Sequence, residues 1–368
     1  MKVLHIAPNY PYSKLYHQLI SALEDKGITD EVYVQSKEPE VERDYPVYYL
    51  GRNFGLIDRL LYFRKQKIIL NDILRRNITD GVNVIHAHNL FSAGYCAYKV
   101  KKERGIPYVV AVRNTDVNDF FHKMIHLRPI GVNILREADA VVFLSSTYRD
   151  SVISRYVPPP YRADILKKCF VIPNGLDPYF VSNKALRHRE LSEEMVVRLV
   201  YVGDINKNKN IGTTIKACNQ LIKMGYNTTL DVVGRIKDKS LEYIKSLEFV
   251  NYHPYSPKEQ VLDYLNHADI FVMPSITETF GLVYIEAMSQ GLPVIYTQGQ
   301  GFDGYYEEGK VGYHVPCFDH KAIADCVVKI IKNYSTISEN CIKAVDDFSW
   351  HNKAEQYKNI YENLMIHV

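Results

Sequence analysis

Short runs of β-branched and other apolar residues recur along this chain, and stretches of helical periodicity separate them. The runs fall at 3–7, 31–34, 82–87, 108–112, 140–144 and 170–172, then at 198–202, 230–233, 250–252, 270–273 and 293–296. Many are continuously apolar rather than alternating, the pattern of a strand covered by helices on both faces. Helical stretches between them include 15–24, 58–75, 211–224 and 258–265. Repeated β-α alternation predicts parallel, doubly wound sheets. A length of 368 residues suits two such domains. The break is expected near 173–194, where Pro173-Asn174-Gly175 has turn chemistry and a polar stretch follows. Two open α/β domains joined by a short hinge are expected to face across a cleft at the carboxyl ends of their strands.

Composition narrows the function classes. No run of eighteen apolar residues predicts a membrane-spanning helix. The first residues, from Lys2 to Ala7, form a strand-length run and not a signal peptide, so a cytoplasmic protein is expected. Six scattered cysteines without a C-x-x-C pair indicate neither a zinc site nor a disulfide framework. The net charge of +3 divides unevenly: residues 1–172 hold 25 Lys and Arg against 18 Asp and Glu, the remainder 20 against 24. A basic first half suits an anionic acceptor or an anionic membrane surface. No nucleic-acid motif appears.

The most informative segment is 274–294, in which the run 270–273 leads through a loop into a helix expected to start near Thr279. Phe280-Gly281-Leu282 would place bare backbone N–H groups at that helix's start, a favourable place for phosphate. Glu278 precedes the helix and Glu286 is expected two turns further on, so one carboxylate can meet a sugar and the other the ribose hydroxyls of a nucleotide sugar.

With its Glu278 and Glu286, this segment closely resembles the E-x7-E region of the retaining glycosyltransferases of family four, which have the GT-B fold. Val171-Ile172-Pro173-Asn174-Gly175 resembles the family's interdomain signature, and Leu199-Val200-Tyr201-Val202-Gly203 with Lys209 its first C-terminal βα unit. Gly291-Leu292-Pro293-Val294 matches the strand after the glutamate helix, and Phe348-Ser349-Trp350 the start of a final helix that crosses back to the first domain. The resemblance implies an N-terminal acceptor-binding domain over 1–175, a C-terminal nucleotide-sugar domain over 176–346, and the crossing helix over 347–368. It also implies roles. Glu286 would hold the ribose hydroxyls and Glu278 the donor sugar. Thr279, Phe280, Gly281 and Leu282 would supply backbone contacts. Lys209 would meet the diphosphate, and Gly203 would let the nucleotide approach closely.

Departures from the family pattern are specific. Asp204 stands where the family usually has an Arg facing the diphosphate, and an acid there is repulsive. Lys207, Arg235 and Lys237 are the candidates to restore the charge. Arg113, in Arg113-Asn114-Thr115-Asp116, takes the place of a His that reaches the donor sugar; it is expected near the leaving diphosphate or an acidic acceptor, with Asp116 on acceptor hydroxyls. His86 and His88 share one strand face, and His88 matches a position lining the acceptor side; with no carboxylate evident near them, no metal is expected. The first loop lacks the family's glycine pair, which leaves Tyr10, Tyr12 and Lys14 to line the acceptor pocket. Base recognition is expected after residues 233 and 252, from Arg235 and Tyr255 among others. The stretch 58–75 mixes Arg59, Arg64, Lys65 and Lys67 with Leu60, Leu61, Tyr62 and Phe63, the pattern either of an amphipathic core helix with a solvated basic face or of a helix lying on a membrane surface.

The resemblance implies retaining transfer of a hexose-type sugar from a UDP or GDP donor to a saccharide or lipid-linked acceptor at the inner membrane face, in capsule, O-antigen or exopolysaccharide synthesis. No cofactor is expected, and the sequence has no D-x-D metal handle. The alternatives are a sugar-nucleotide epimerase of the same fold and a non-catalytic nucleotide-binding relative.

Overall fold

The computed structural model describes residues 1–35, 49–51, 61–186, 191 and 196–366. The chain forms two units: Met1–Gly175 with Trp350–Val368, and Leu176–Ser349.

Among the described residues, unit 1 holds a seven-stranded parallel sheet ordered β3-β2-β1-β4-β5-β6-β7. Its strands are β1 (Lys2–Ile6), β2 (Thr29–Gln35), β3 (Tyr49–Gly51), β4 (Val84–Ala87), β5 (Tyr108–Ala111), β6 (Ala140–Phe143) and β7 (Cys169–Val171). Strands β4, β5 and β6 are buried at every position, which explains their unbroken apolar sequence. One face is closed by the helices Lys14–Glu24 and Trp350–Ile366, whose Leu19, Leu23, Trp350, Ala354 and Tyr357 pack with Val3, Val84 and Val109.

Unit 2 holds a six-stranded parallel sheet ordered β10-β9-β8-β11-β12-β13. Its strands are β8 (Val196–Val202), β9 (Asn227–Val233), β10 (Val250–His253), β11 (Ile270–Val272), β12 (Val294–Thr297) and β13 (Gly312–Val315). Both sheets therefore have the same Rossmann-like winding, with a switch point between β1 and β4 in one and between β8 and β11 in the other. Ligands bind in open α/β sheets outside the strand carboxyl ends at such switch points.

Some boundaries differ from the sequence reading. The helix expected near Thr279 begins at Leu282, because Gly281 adopts φ +89° as its N-cap. Glu286 consequently sits little more than one turn into that helix. Strands β3 and β13 have no counterpart among the expected runs. Of the helix expected over 58–75, Tyr62–Arg75 is helical and residues 58–60 lie outside the described ones.

Candidate functional site

In unit 2 the carboxyl ends of β8 and β9 lie side by side and end in Gly203 and Gly234. The register places Asp204 and Arg235 next to each other beyond them, and the Arg235 Nε lies 3.6 Å from Asp204 Oδ1. The same guanidinium stands over the exposed Tyr255 ring, 4.8 Å from its centroid. Of the three candidate replacement cations, Arg235 is thus the one beside Asp204. Lys207 instead points towards Asp238, 3.7 Å away.

Asn208 laces the loop after β8 to the loop after β11. Its main-chain oxygen accepts from Ile276 N–H, its Oδ1 accepts from Thr277 N–H, and its Nδ2 donates to the Thr277 carbonyl. This lacing brings the Lys209 ammonium within 2.6 Å of Glu278 Oε2. Glu278 is gripped along its own backbone as well: its N–H donates to Gln300 Oε1 at 3.0 Å and its carbonyl accepts from Gly301 N–H at 2.9 Å. Its second carboxylate oxygen accepts from Thr279 N–H at 3.1 Å. Thr279 therefore spends its N–H inside the loop.

Phe280 is buried against Phe302, Tyr305 and Phe348, so its ring serves the core. Among the described residues no acceptor takes the N–H groups of Phe280, Gly281 or Leu282, which open the Leu282–Ser289 helix. Half-buried Glu286 follows in that helix, and no described group hydrogen-bonds to its carboxylate. Burial pushes its carboxyl up to about 7, and the negative charge of Asp177 adds to the shift. A half-buried carboxylate without a protein donor can take the hydroxyls of a ligand.

Unit 1 differs in kind. His5, His86 and His88 are all buried, with the His86 and His88 rings stacked at 4.0 Å. His5 Nδ1 is hydrogen-bonded to His88 Nε2 at 2.9 Å, and His5 Nε2 to Asp30 Oδ1 at 2.7 Å. His86 Nδ1 is hydrogen-bonded to the Tyr361 hydroxyl at 2.7 Å. Burial holds His86 and His88 well below the ordinary imidazole range, so both are neutral. The expectation that no carboxylate lies near these histidines is corrected by Asp30. Together the three histidines make a cluster whose nitrogens are close enough to hold a metal ion. His5, Asp30 and Tyr16, whose ring meets His88 edge-on at 5.0 Å, went unread in the sequence.

The turn after β5 is held by Asp116. One carboxylate oxygen accepts from Leu90 N–H and Arg113 N–H, and the other from Phe91 N–H, at 2.8–3.1 Å. Asp116 is 1 % exposed, so it ties two loops together rather than offering a carboxylate to an acceptor. Burial pushes it up to about 6 against those three N–H bonds. Tyr10 is also buried, in a small cluster with Ala7, Ile20, Val32 and Val34, and does not line a surface. His88 likewise lies beneath the surface. Tyr12 and Lys14 are exposed. Arg113 is half-buried and its Nε donates to the His88 carbonyl.

The helix Tyr62–Arg75 buries Ile69, Leu70 and Ile73 and leaves Phe63 exposed, next to exposed Leu61. Met124 and Ile125 are exposed in the segment after Phe120, whose ring lies 6.2 Å from that of Tyr62. No helix of the described residues is long and apolar enough to cross a membrane.

Residues 13–180 match the family model described as Glycosyltransferase Family 4, and residues 182–347 the one described as Glycosyl transferases group 1. An alpha-monoglucosyldiacylglycerol synthase of Acholeplasma laidlawii is 26 % identical over 251 residues, 63 % of this chain and 62 % of the relative. The capsular polysaccharide biosynthesis glycosyltransferase CapM of Staphylococcus aureus is 27 % identical over 241 residues, 62 % of each chain. The matches thus span less than two thirds of either relative. Among solved structures, the lipopolysaccharide outer core galactosyltransferase WaaB superposes with a TM-score of 0.77 at 14 % identity over 99 % of both chains. The Anabaena protein HepE in complex with UDP-glucose does so with a TM-score of 0.65 at 17 % identity, also over 99 % of both. These likenesses establish the GT-B fold.

Proposed function

We propose that the chain, which belongs to the group 1 and family 4 glycosyltransferases, moves a hexose-type sugar from a nucleotide-diphosphate donor to a saccharide or lipid-linked saccharide, with retention at the anomeric carbon and without a metal. The observation that carries the donor part is the Leu282–Ser289 helix, which combines unclaimed N–H groups at its start with the unpartnered carboxylate of Glu286. The N–H groups suit a diphosphate, and the carboxylate suits a ribose diol. The complex of HepE with UDP-glucose supports a nucleotide sugar as the ligand, and the names of CapM and WaaB support surface-polysaccharide assembly.

In this reading the Lys209–Glu278 pair is a resting state. An arriving diphosphate draws the Lys209 ammonium to itself, and Glu278 is released towards the sugar hydroxyls. The C1–O bond then stretches to an oxocarbenium-like state. Lys209 and the N–H groups of Phe280, Gly281 and Leu282 stabilise the charge growing on the leaving phosphate. The acceptor hydroxyl attacks from the same face, and the leaving phosphate oxygen takes its proton. The exposed Leu61, Phe63, Met124 and Ile125 would rest on a membrane surface holding the acceptor.

Melting curves against UDP-, GDP-, ADP- and CMP-sugars test the donor reading, since a ligand of the folded state raises the melting temperature. A rise with one nucleotide class, lost in Glu286→Ala, supports it; no rise with any sinks it. Activity surviving EDTA is expected, and loss restored by manganese would overturn metal independence.

A further inference from the structure

Among the described residues the Arg113 guanidinium hydrogen-bonds to neutral groups alone. Its Nε donates to the His88 carbonyl and its Nη1 to Asn174 Oδ1, both at 3.3 Å, and its positive charge acts on the buried Tyr357 hydroxyl. No described carboxylate forms an ion pair with it. The neighbouring Asp116 already spends both oxygens on the N–H groups of Leu90, Phe91 and Arg113. The histidine layer beneath, His86 and His88, is neutral. A half-buried guanidinium is therefore held from two directions, by the end of β4 and the Asn174 turn, with no ion pair among the described residues, and the buried Asp116 carboxylate acts on it only through its charge. A charge taken out of water is costly unless an opposite charge meets it. The planar fork also matches the oxygens of a phosphate, and pinning it beforehand lowers the cost of ordering it on binding.

We propose that Arg113 is the receptor of a phosphate-type anion carried by the acceptor, so that the acceptor substrate is phosphorylated rather than a neutral sugar. This rests on the reading that unit 1 takes the acceptor. The excess of Lys and Arg in residues 1–172 points the same way.

The test compares melting temperatures of the full chain in inorganic phosphate and in chloride of matched ionic strength. Wild type is measured beside Arg113→Gln, Lys209→Gln and Asn174→Ala. General salting by phosphate is common to all, so the differences between variants are the readout. A saturable rise is expected in wild type and Lys209→Gln, absent in Arg113→Gln. Its midpoint should move to about tenfold higher phosphate in Asn174→Ala, the effect of losing one hydrogen bond to a charged group. The proposal is overturned if wild type shows no rise, if the rise persists in Arg113→Gln, or if it is lost in Lys209→Gln, which would place the anion in the donor site. Should Arg113→Gln not melt cooperatively, an unchanged midpoint in Asn174→Ala overturns it. A parallel titration with UDP reads the donor site separately, so failure there leaves the phosphate result standing.

Discussion

In unit 2 the ends of β8, β9 and β11 carry Gly203, Gly234 and a loop in which the N–H groups of Phe280, Gly281 and Leu282 and the Glu286 carboxylate stay unclaimed among the described residues. In unit 1 the matching ends of β1, β4 and β5 carry Tyr10, His88 and the Asp116 turn, whose polar atoms are turned on one another. The winding of the two sheets is the same. What differs is the destination of hydrogen bonds. One strand-end surface leaves donors and a carboxylate without partners among the described residues, while the other uses most of its polar groups to fix its own loops, leaving Arg113 without an ion pair and the buried His86 Nε2 and His88 Nδ1 without hydrogen bonds. A common sheet order thus says where a ligand comes, and the hydrogen-bond accounts say which side is ready for a diverse set of contacts.

The sharpest way to break this comparison is Lys209→Ala. If unit 2 supplies the charge stabilisation, kcat/KM for transfer falls by about 10²-fold or more. A loss smaller than about fivefold would remove Lys209 from the chemistry. The opposite consequence is expected in unit 1, where Asp116→Ala strands three buried N–H groups. The fold should lose on the order of 3 kcal/mol, seen as a lower urea midpoint, with the nucleotide-induced melting shift kept. If stability were unchanged and only acceptor KM rose, Asp116 would be a substrate ligand after all.

A finer discrimination comes from pH. With its carboxyl raised to about 7, Glu286 is protonated below that value and ionised above it. Ribose hydroxyls donate to the ionised form, so nucleotide affinity should rise as pH increases through about 7. The sign for the unliganded fold is reversed. The native carboxyl keeps a proton that the unfolded chain gives up, so this group's stabilising contribution is full at low pH and is lost as pH rises to about 7. Glu286→Gln should flatten both curves, and a binding curve that stays pH-dependent in that variant would assign the titration elsewhere. The smallest effect is expected from Asp204→Asn, which frees Arg235 from its exposed partner. UDP affinity should improve by about threefold, within the range of exposed ion pairs. A weaker affinity would mean that Asp204 positions Arg235.

Glu278, Gly281 and Glu286 are local in sequence, on one strand–loop–helix stretch, so their grouping was legible, although the helix start moved to Leu282 and put Glu286 little more than one turn in. Lys209 came from the resemblance of the segment around β8 to the family's first C-terminal βα unit. The groups that escaped are brought in by pairing across the sheet or from the far end of the chain. His5 meets Asp30 through the β1–β2 register and His88 through β4; Gln300 reaches Glu278 from the next strand's loop; Tyr357 reaches Arg113 from the last helix. Nothing in the local periodicity carries such meetings. Aromatic Tyr10 and acidic Asp116 misled for the same reason, since their chemistry suits a pocket and only the packing shows them buried. The strands β3 and β13 lie at the sheet edges, where short runs give weak patterning.

Gly175 and Trp350 touch so closely that a methyl group on Gly175 would overlap the indole ring. The chain leaves unit 1 at one and re-enters it at the other, with Leu176–Ser349 wholly inserted between. On the ribosome this inverts the order of completion. The face of the first sheet that Ala354, Tyr357 and Ile360 cover must stay open while the whole inserted unit is made, for roughly 10–35 s at typical rates of synthesis. The second unit has all its strands in one uninterrupted stretch and can close first. Of the two units, the one begun first is the last to be finished, and in the interval its bare apolar face is the surface a chaperone would find.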